Sequence, residues 1–266
     1  RSAHIIMTTV TPGDVWTLRW DGTDFATAMV VQAHESFAVV WPVTSASHSS
    51  PPALAINDEH RALGAALWPT RPTGIGNHLL GTRLGTLLSQ DAIDIISDEM
   101  EDPEAQLTIL PLATGAYDPD ADRAFIDKWN GYCFHTGKPA GQHWLRTDKL
   151  TSSRDLANAL NLDVVQTRPY WDGVSPLTDE QLTALIQATG LSSDDLTGPD
   201  PYATAEARLS SPAFKEAVEA RVAETGLSEE QVRTATREEF ALAARDDSAN
   251  RIDEKLRDAL SRVDAP

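Results

Sequence analysis

The chain changes its periodicity part-way along, and that change limits its fold more than any other feature. In residues 8–43, short runs of branched and aromatic side chains are broken by turn signals. Val15-Trp16-Thr17-Leu18-Arg19-Trp20 follows Pro12-Gly13-Asp14 and stops at Asp21-Gly22, a pair suited to a tight hairpin turn. Two more apolar runs, 28–32 and 37–43, flank a polar hinge at 33–36. A Ser- and Pro-rich loop (45–52) precedes two further short strands, 53–56 and 65–68. Ser89 then caps a helix to about residue 100, with Ile93 and Ile96 at helical spacing. Short strands at such close intervals predict a small β-barrel. From residue 152 the apolar spacing becomes helical. Leu156, Ala157 and Leu160 form one face, and Leu182, Leu185 and Ile186 form another that ends at Gly190. Further helices are expected from Ser211-Pro212 to Gly226, from the capping box Ser228-Glu229-Glu230-Gln231, and over 249–263.

The expected class is therefore α+β, with an N-terminal barrel and an all-α C-terminal half. Its parts are 1–6, which precede Met7 and read as a vector remnant; 7–100, the barrel; 101–150, a connector; 151–198, a helical bundle; and 199–266, the C-terminal helices. Within the connector, 107–112 reads as a strand and 121–129 as a helix, followed by an aromatic cluster of Trp129, Tyr132, Phe134 and Trp144.

Charge restricts partners. Lys and Arg number 22 against 40 Asp and Glu, a net charge of −18. Such a chain repels phosphate backbones at long range, so RNA or DNA binding would need a local basic patch. Residues 1–100 hold 5 basic and 10 acidic side chains, and 151–196 hold 2 and 7, so neither block supplies one. The single cysteine, Cys133, fits a reducing compartment, hence a cytoplasmic expectation. No apolar run approaches the roughly 20 residues a membrane-spanning helix needs.

Motifs in the first hundred residues resemble the MazF/PemK toxin family over about 11–97. Gly13-Asp14-Val15-Trp16 resembles the family's opening strand. Ala28-Met29-Val30-Val31 resembles the strand that follows its Arg-Pro pair. Val40-Trp41-Pro42-Val43-Thr44-Ser45 resembles the strand ending in its Thr-Ser, and Pro52-Ala53-Leu54-Ala55-Ile56 the next edge strand. Residues 67–71 and Leu84-Gly85-Thr86-Leu87 resemble the closing strand and the lead into the C-terminal helix. The resemblance implies an SH3-like barrel that pairs as a dimer, binds acidic antitoxin segments and, in active members, cuts single-stranded RNA without a metal or other cofactor. There the ribose 2′-hydroxyl attacks the adjacent phosphate, an arginine stabilises the developing charge, and a Thr or Ser hydroxyl supports it. Thr44 matches that hydroxyl. Ala26 and Thr27 stand where the Arg-Pro pair belongs, so the charge is missing. Either the barrel has kept its fold without cleavage, or another arginine, Arg71 or Arg19, supplies the cation.

Residues 152–196 resemble an XRE-type helix-turn-helix. Leu156-Ala157-Asn158-Ala159-Leu160-Asn161-Leu162 resembles its second helix and turn, with Asn161 at the usual glycine position, and Gly173 falls after the recognition helix. That helix, 164–171, offers Gln166 and Arg168 as DNA-reading residues, and it contains Pro169, which disfavours a helix interior. Three weaker patterns carry less. Asp118, Asp120 and Asp122 alternate as calcium ligands do but lack the loop's later glycine and acid; Cys133, His135 and His143 lack paired metal-ligand spacing; Gly74-Ile75-Gly76 does not open a helix. No metal site is expected. The functional expectation is a non-catalytic regulator or adaptor of toxin–antitoxin ancestry, whose barrel dimerises or holds an acidic helical segment. The alternatives are a metal-independent RNA endonuclease using Thr44 and Arg71, and a DNA-binding transcriptional regulator using Gln166 and Arg168.

Overall fold

In the computed structural model the described residues are 9–102, 104–133, 143–243 and 251–264; the 1–6 segment, Phe134 and His135 lie outside them. The architecture is mixed, an antiparallel sheet of seven strands followed by a helical half. The chain divides into two compact units, 1–137 with 208–220, and 138–207 with 221–266.

In the first unit, β1 (Asp14–Trp20), β2 (Thr23–Ala33) and β3 (Phe37–Thr44) form an antiparallel meander. The short strands β4 (Leu54–Ala55), β5 (Ala66–Leu67), β6 (Thr73–Gly76) and β7 (Leu80–Thr86) complete the sheet. The order is β4-β5-β3-β2-β1-β7, with β6 also on β3. The Asp21-Gly22 turn forms as expected. Both residues have positive φ, 46° and 72°, as a two-residue hairpin of this hand requires. That turn fixes the register Trp20↔Thr23, so β2 starts five residues before its apolar run and places Ala26 opposite Leu18.

Successive strand residues face opposite ways. Trp16, Leu18, Ala28, Val30, Ala38 and Val40 join one core with Phe125 and Trp129; Val15, Met29, Val31, Trp41 and Val43 join another with Ile93 and Ile96. Because both sets are buried, the runs at 28–31 and 38–43 are unbroken rather than alternating. Helix α1 (Gln90–Glu101) supplies Ile93 and Ile96, and its Ser89 cap accepts from the Ala92 N–H as read from sequence. Helix α2 (Pro119–Cys133) supplies Phe125 and Trp129. The expected strand at 107–112 does not form. Leu54↔Leu112 is an isolated bridge, and Pro111 has no N–H with which to extend a ladder.

Gly13 opens β1 with φ +89°, and a β-carbon there would lie 1.9 Å from the Leu88 carbonyl oxygen. Both the backbone conformation and the space exclude a side chain. Gly13→Ala is expected to lower stability by about 2 kcal/mol or more, read as a fall in the urea midpoint.

The helical half runs α3 (Ser153–Leu160), α4 (Val164–Trp171), α5 (Asp179–Thr189), α6 (Ser193–Leu196), α7 (Ala203–Leu209), α8 (Pro212–Thr225), α9 (Glu229–Ala243) and α10 (Ile252–Ser261). It is not wholly α: β8 (Trp144–Leu145) pairs with β9 (Thr197–Gly198) in a two-stranded ribbon. The local stop and start signals hold. Asn161 is left-handed at φ 53°, Gly190 caps α5 at φ 71°, and Ser228 and Gln231 bond reciprocally ahead of α9. Leu156, Leu177, Leu182, Leu185 and Leu196 form the core beneath α3–α6. Within the first unit, Lys215 of α8 is buried, its ammonium donating to the carbonyls of Arg19 (2.8 Å) and His78 (3.1 Å). Among the described residues no helix is long and apolar enough to cross a membrane.

Candidate functional site

Thr44 ends β3 and forms part of the wall of a cavity of about 610 Å³ in the first unit. Around it stand Thr27 of β2, Ser45 and Ser49 of the following loop, Leu63 and Ala113. The one charged side chain lining it, among the described residues, is Arg61, which lies on the six-residue 3₁₀ helix Asp58–Leu63. Arg61 pairs with Asp58 at 2.7 Å and remains 71% exposed. It is thus a solvent-exposed cation paired with Asp58, not a buried, preorganised donor of the kind that stabilises a transition state.

The Thr44 hydroxyl is already engaged. It donates to the His48 carbonyl and accepts from the Trp68 indole N–H at 2.9 Å. Trp68 is fully buried. Against it lies the His48 ring, 4.8 Å away centre to centre, and on another side of that ring stands Phe125 of α2 at 4.6 Å. His48 Nε2 is buried without a hydrogen-bond partner among the described residues. Burial pushes this imidazole below its ordinary value; Arg71 acts in the same direction, while Asp122 and Asp118 oppose it.

Arg71 belongs to this cluster, yet it does not line the cavity. Its Nη2 donates to Asp122 of α2 at 2.7 Å, and its guanidinium carbon lies 5.2 Å from the Trp68 ring centre and 5.5 Å from that of Phe125. Thr44 and Arg71 are thus joined through Trp68, with Nη2 of Arg71 directed to Asp122 and its Nε buried without a hydrogen-bond partner among the described residues. The other sequence candidate, Arg19, donates to Asp24 at 2.8 Å and approaches Glu219 at 3.5 Å. The alternating acids have folding roles: Asp118 accepts from the N–H groups of Asp120 and Ala121 at the start of α2, and Asp122 holds Arg71.

In the helical unit, α4 continues through Pro169 to Trp171. The ring removes the N–H that would have reached the Val165 carbonyl, while a capping box secures the other end of the helix. The Gln166 side chain accepts from the Asp163 N–H (3.1 Å), and the Gln166 backbone N–H donates to the Asp163 carboxylate (2.8 Å). Arg168 donates to Asp172 at 3.2 Å. Both candidate reading side chains therefore have partners within the helix and its cap, and the exposed surface of α4 includes Val164 and Val165. His143 bonds Asp179 at 2.7 Å. The Cys133 side chain and His135 lie outside the described residues, and among those described no group of three or more His, Cys, Asp or Glu is placed to hold a metal.

His48 and Arg61 carried no sequence signal. Both come to Thr44 through loops whose ends are set by the β3–β5 and β4–β5 pairings, so only the sheet topology brings them together. Comparison with protein-family models, with curated proteins and with solved structures finds no match.

Proposed function

We propose that the chain is a non-catalytic regulator or adaptor of toxin–antitoxin ancestry, with an SH3-like, MazF/PemK-like barrel in its first unit and helix-turn-helix-like helices in its second. The observation that carries this reading is the fate of the cation. Ala26 of β2 stands where the resemblance would put arginine, and Arg71 is bound to Asp122 and packed on two aromatic rings without lining the Thr44 cavity. Without a preorganised charge opposite the hydroxyl, phosphoryl transfer loses on the order of a hundredfold or more in rate. The presence of α2, with Asp120 and Asp122 in its first turn, beside Arg71 supports the idea of a barrel that holds an acidic helical segment. Dimerisation through the barrel is part of the same proposal. In the second unit, the engagement of Gln166 and Arg168 and the exposure of Val164 and Val165 favour a protein partner over base reading in DNA.

The test is incubation of the purified chain with single-stranded RNAs of varied sequence in the presence of a chelator. No cleavage is expected. A second reading, a metal-independent endoribonuclease, is favoured by one feature, the placement of Arg61 on the same cavity as Thr44. Cleavage that disappears in both Thr44→Val and Arg61→Ala, or in Arg71→Ala, would establish the enzyme instead. Salt-sensitive binding of a DNA duplex at about 50 mM salt would favour the transcriptional-regulator alternative.

A further inference from the structure

We propose that His48 is a protonation-sensitive latch: its neutral ring keeps α2 seated on the sheet, and protonation loosens α2 and reshapes the wall of the Thr44 cavity. This is a regulation of the site described above and rests on that cavity being the working surface, though its readout is conformational.

The geometry has three parts. The first is the contact itself. The His48 ring completes a three-ring cluster with Trp68, which follows β5, and Phe125 of α2, themselves 5.0 Å apart, and its Nε2 is buried without a hydrogen-bond partner among the described residues. A neutral imidazole tolerates that position as an aromatic filler; an imidazolium would bring a charge into a partly desolvated site, where Asp122 and Asp118 offset only part of the cost. The second is the surrounding charge. From the α2 side the groups facing His48 are Asp122 and Asp118, and from the loop between β5 and β6 it is Arg71. The loop that carries His48, 45–53, holds no other titratable side chain. Asp122 is paired with Arg71, and Asp118 accepts from two N–H groups of α2; both acids favour the charged ring, while burial and the guanidinium disfavour it.

The third part is the linkage to the cavity. Ser45, Ala46 and Ser49 of the same loop line it, and the Thr44 hydroxyl is held by the His48 carbonyl. The segment leading into α2 is stitched to this loop by backbone hydrogen bonds, Ala113 N–H to Ala53 (2.8 Å) and Gly115 N–H to Ser49 (3.0 Å). Displacing Phe125 therefore pulls on a loop that is one wall of the site.

The sign follows from the lowered imidazole value. A histidine whose folded value lies below its ordinary 6.5 stabilises the seated state fully above that pH. That contribution is lost as pH falls below 6.5 and through the folded value. The seated form of α2 is favoured at neutral pH and weakened in mild acid.

The experiment is amide hydrogen exchange of the full chain at pH 7.5 and 5.0, corrected for intrinsic rates and read on 45–53 and 119–133. Protection in both segments is expected to fall at the lower pH and to be retained at pH 7.5, the direction that a lowered imidazole value dictates. His48→Phe, which keeps a ring but cannot titrate, is expected to remove the difference, and His48→Gln serves the same comparison if the phenylalanine variant does not fold. In the unaltered chain, the His48 ring proton followed by NMR is expected to titrate with the same midpoint as the exchange change. Equal protection at the two pH values, an undiminished loss in the folded variant, or a different midpoint for the ring would each overturn the latch. RNA cleavage or its absence bears on the functional reading alone, so the two can fail separately.

Discussion

Replacing Arg237 by alanine is expected to destabilise the second unit by about 3–5 kcal/mol, the cost of stranding a buried charge partner. Its guanidinium is 13% exposed and uses every edge. Nη1 and Nη2 reach the two oxygens of Asp200 (3.2 and 2.7 Å), Nη1 also reaches Glu206 (2.6 Å), and Nε and Nη2 donate to the carbonyls of Val174 and Gly173. The planar group also stacks 4.3 Å from the Trp144 ring centre and lies 5.5 Å from that of Tyr202. Asp200 is 5% exposed, so truncation leaves a carboxylate inside the protein without the fork that neutralises it. Arg237→Lys is expected to recover little, because an ammonium cannot reproduce a planar, five-donor geometry. Urea denaturation followed by helical circular dichroism checks both. A loss under about 1 kcal/mol for the alanine variant, typical of a surface pair, would show that the network is not a keystone of this unit.

The second large effect is expected from Trp68→Ala, which should cost the first unit about 3–5 kcal/mol. Trp68 is fully buried in the core that includes Trp16, Leu18, Ile75 and Phe125. Deletion of the indole opens a cavity, removes the donor to Thr44, and takes away the surfaces on which His48 and Arg71 rest. Trp68→Phe should lose less, since it fills most of the volume and forfeits mainly the Thr44 hydrogen bond, worth about 1 kcal/mol. The ordering of the two midpoints in urea, alanine well below phenylalanine, is the measurement that checks this. Equal losses would mean that the hydrogen bond rather than the packing sets the energy.

Features encoded within three or four residues were legible in the chain alone. Asp21-Gly22 specifies a turn with positive φ at both positions, Ser89 and the Ser228–Gln231 pair specify helix starts, and Asn161 and Gly190 specify stops. Each is a local hydrogen bond or a steric rule, and the partner sits in the same window of sequence. The unbroken apolar runs at 28–31 and 38–43 were readable as strands; that helices cover both faces of them was not. The polar start of β2 escaped the pattern because its pairing is imposed by the turn and not by burial. The 107–112 run misled because apolar content alone cannot reveal that only one bridge is available to it.

The site was legible only in its parts. Thr44 and Arg71 were identifiable as residue types, but Arg71 lies in the loop between β5 and β6 and its partner is 51 residues away, on α2. No periodicity links position 71 to position 122, nor 48 to 125, nor 44 to 61. The primary structure by itself determined the order of elements, their caps and turns, the overall acidity, and the absence of arginine at position 26. Only the tertiary structure decided which charges meet, because Coulomb and packing energies depend on distance in space, and chain separation carries no information about that distance once a sheet has brought remote strands together.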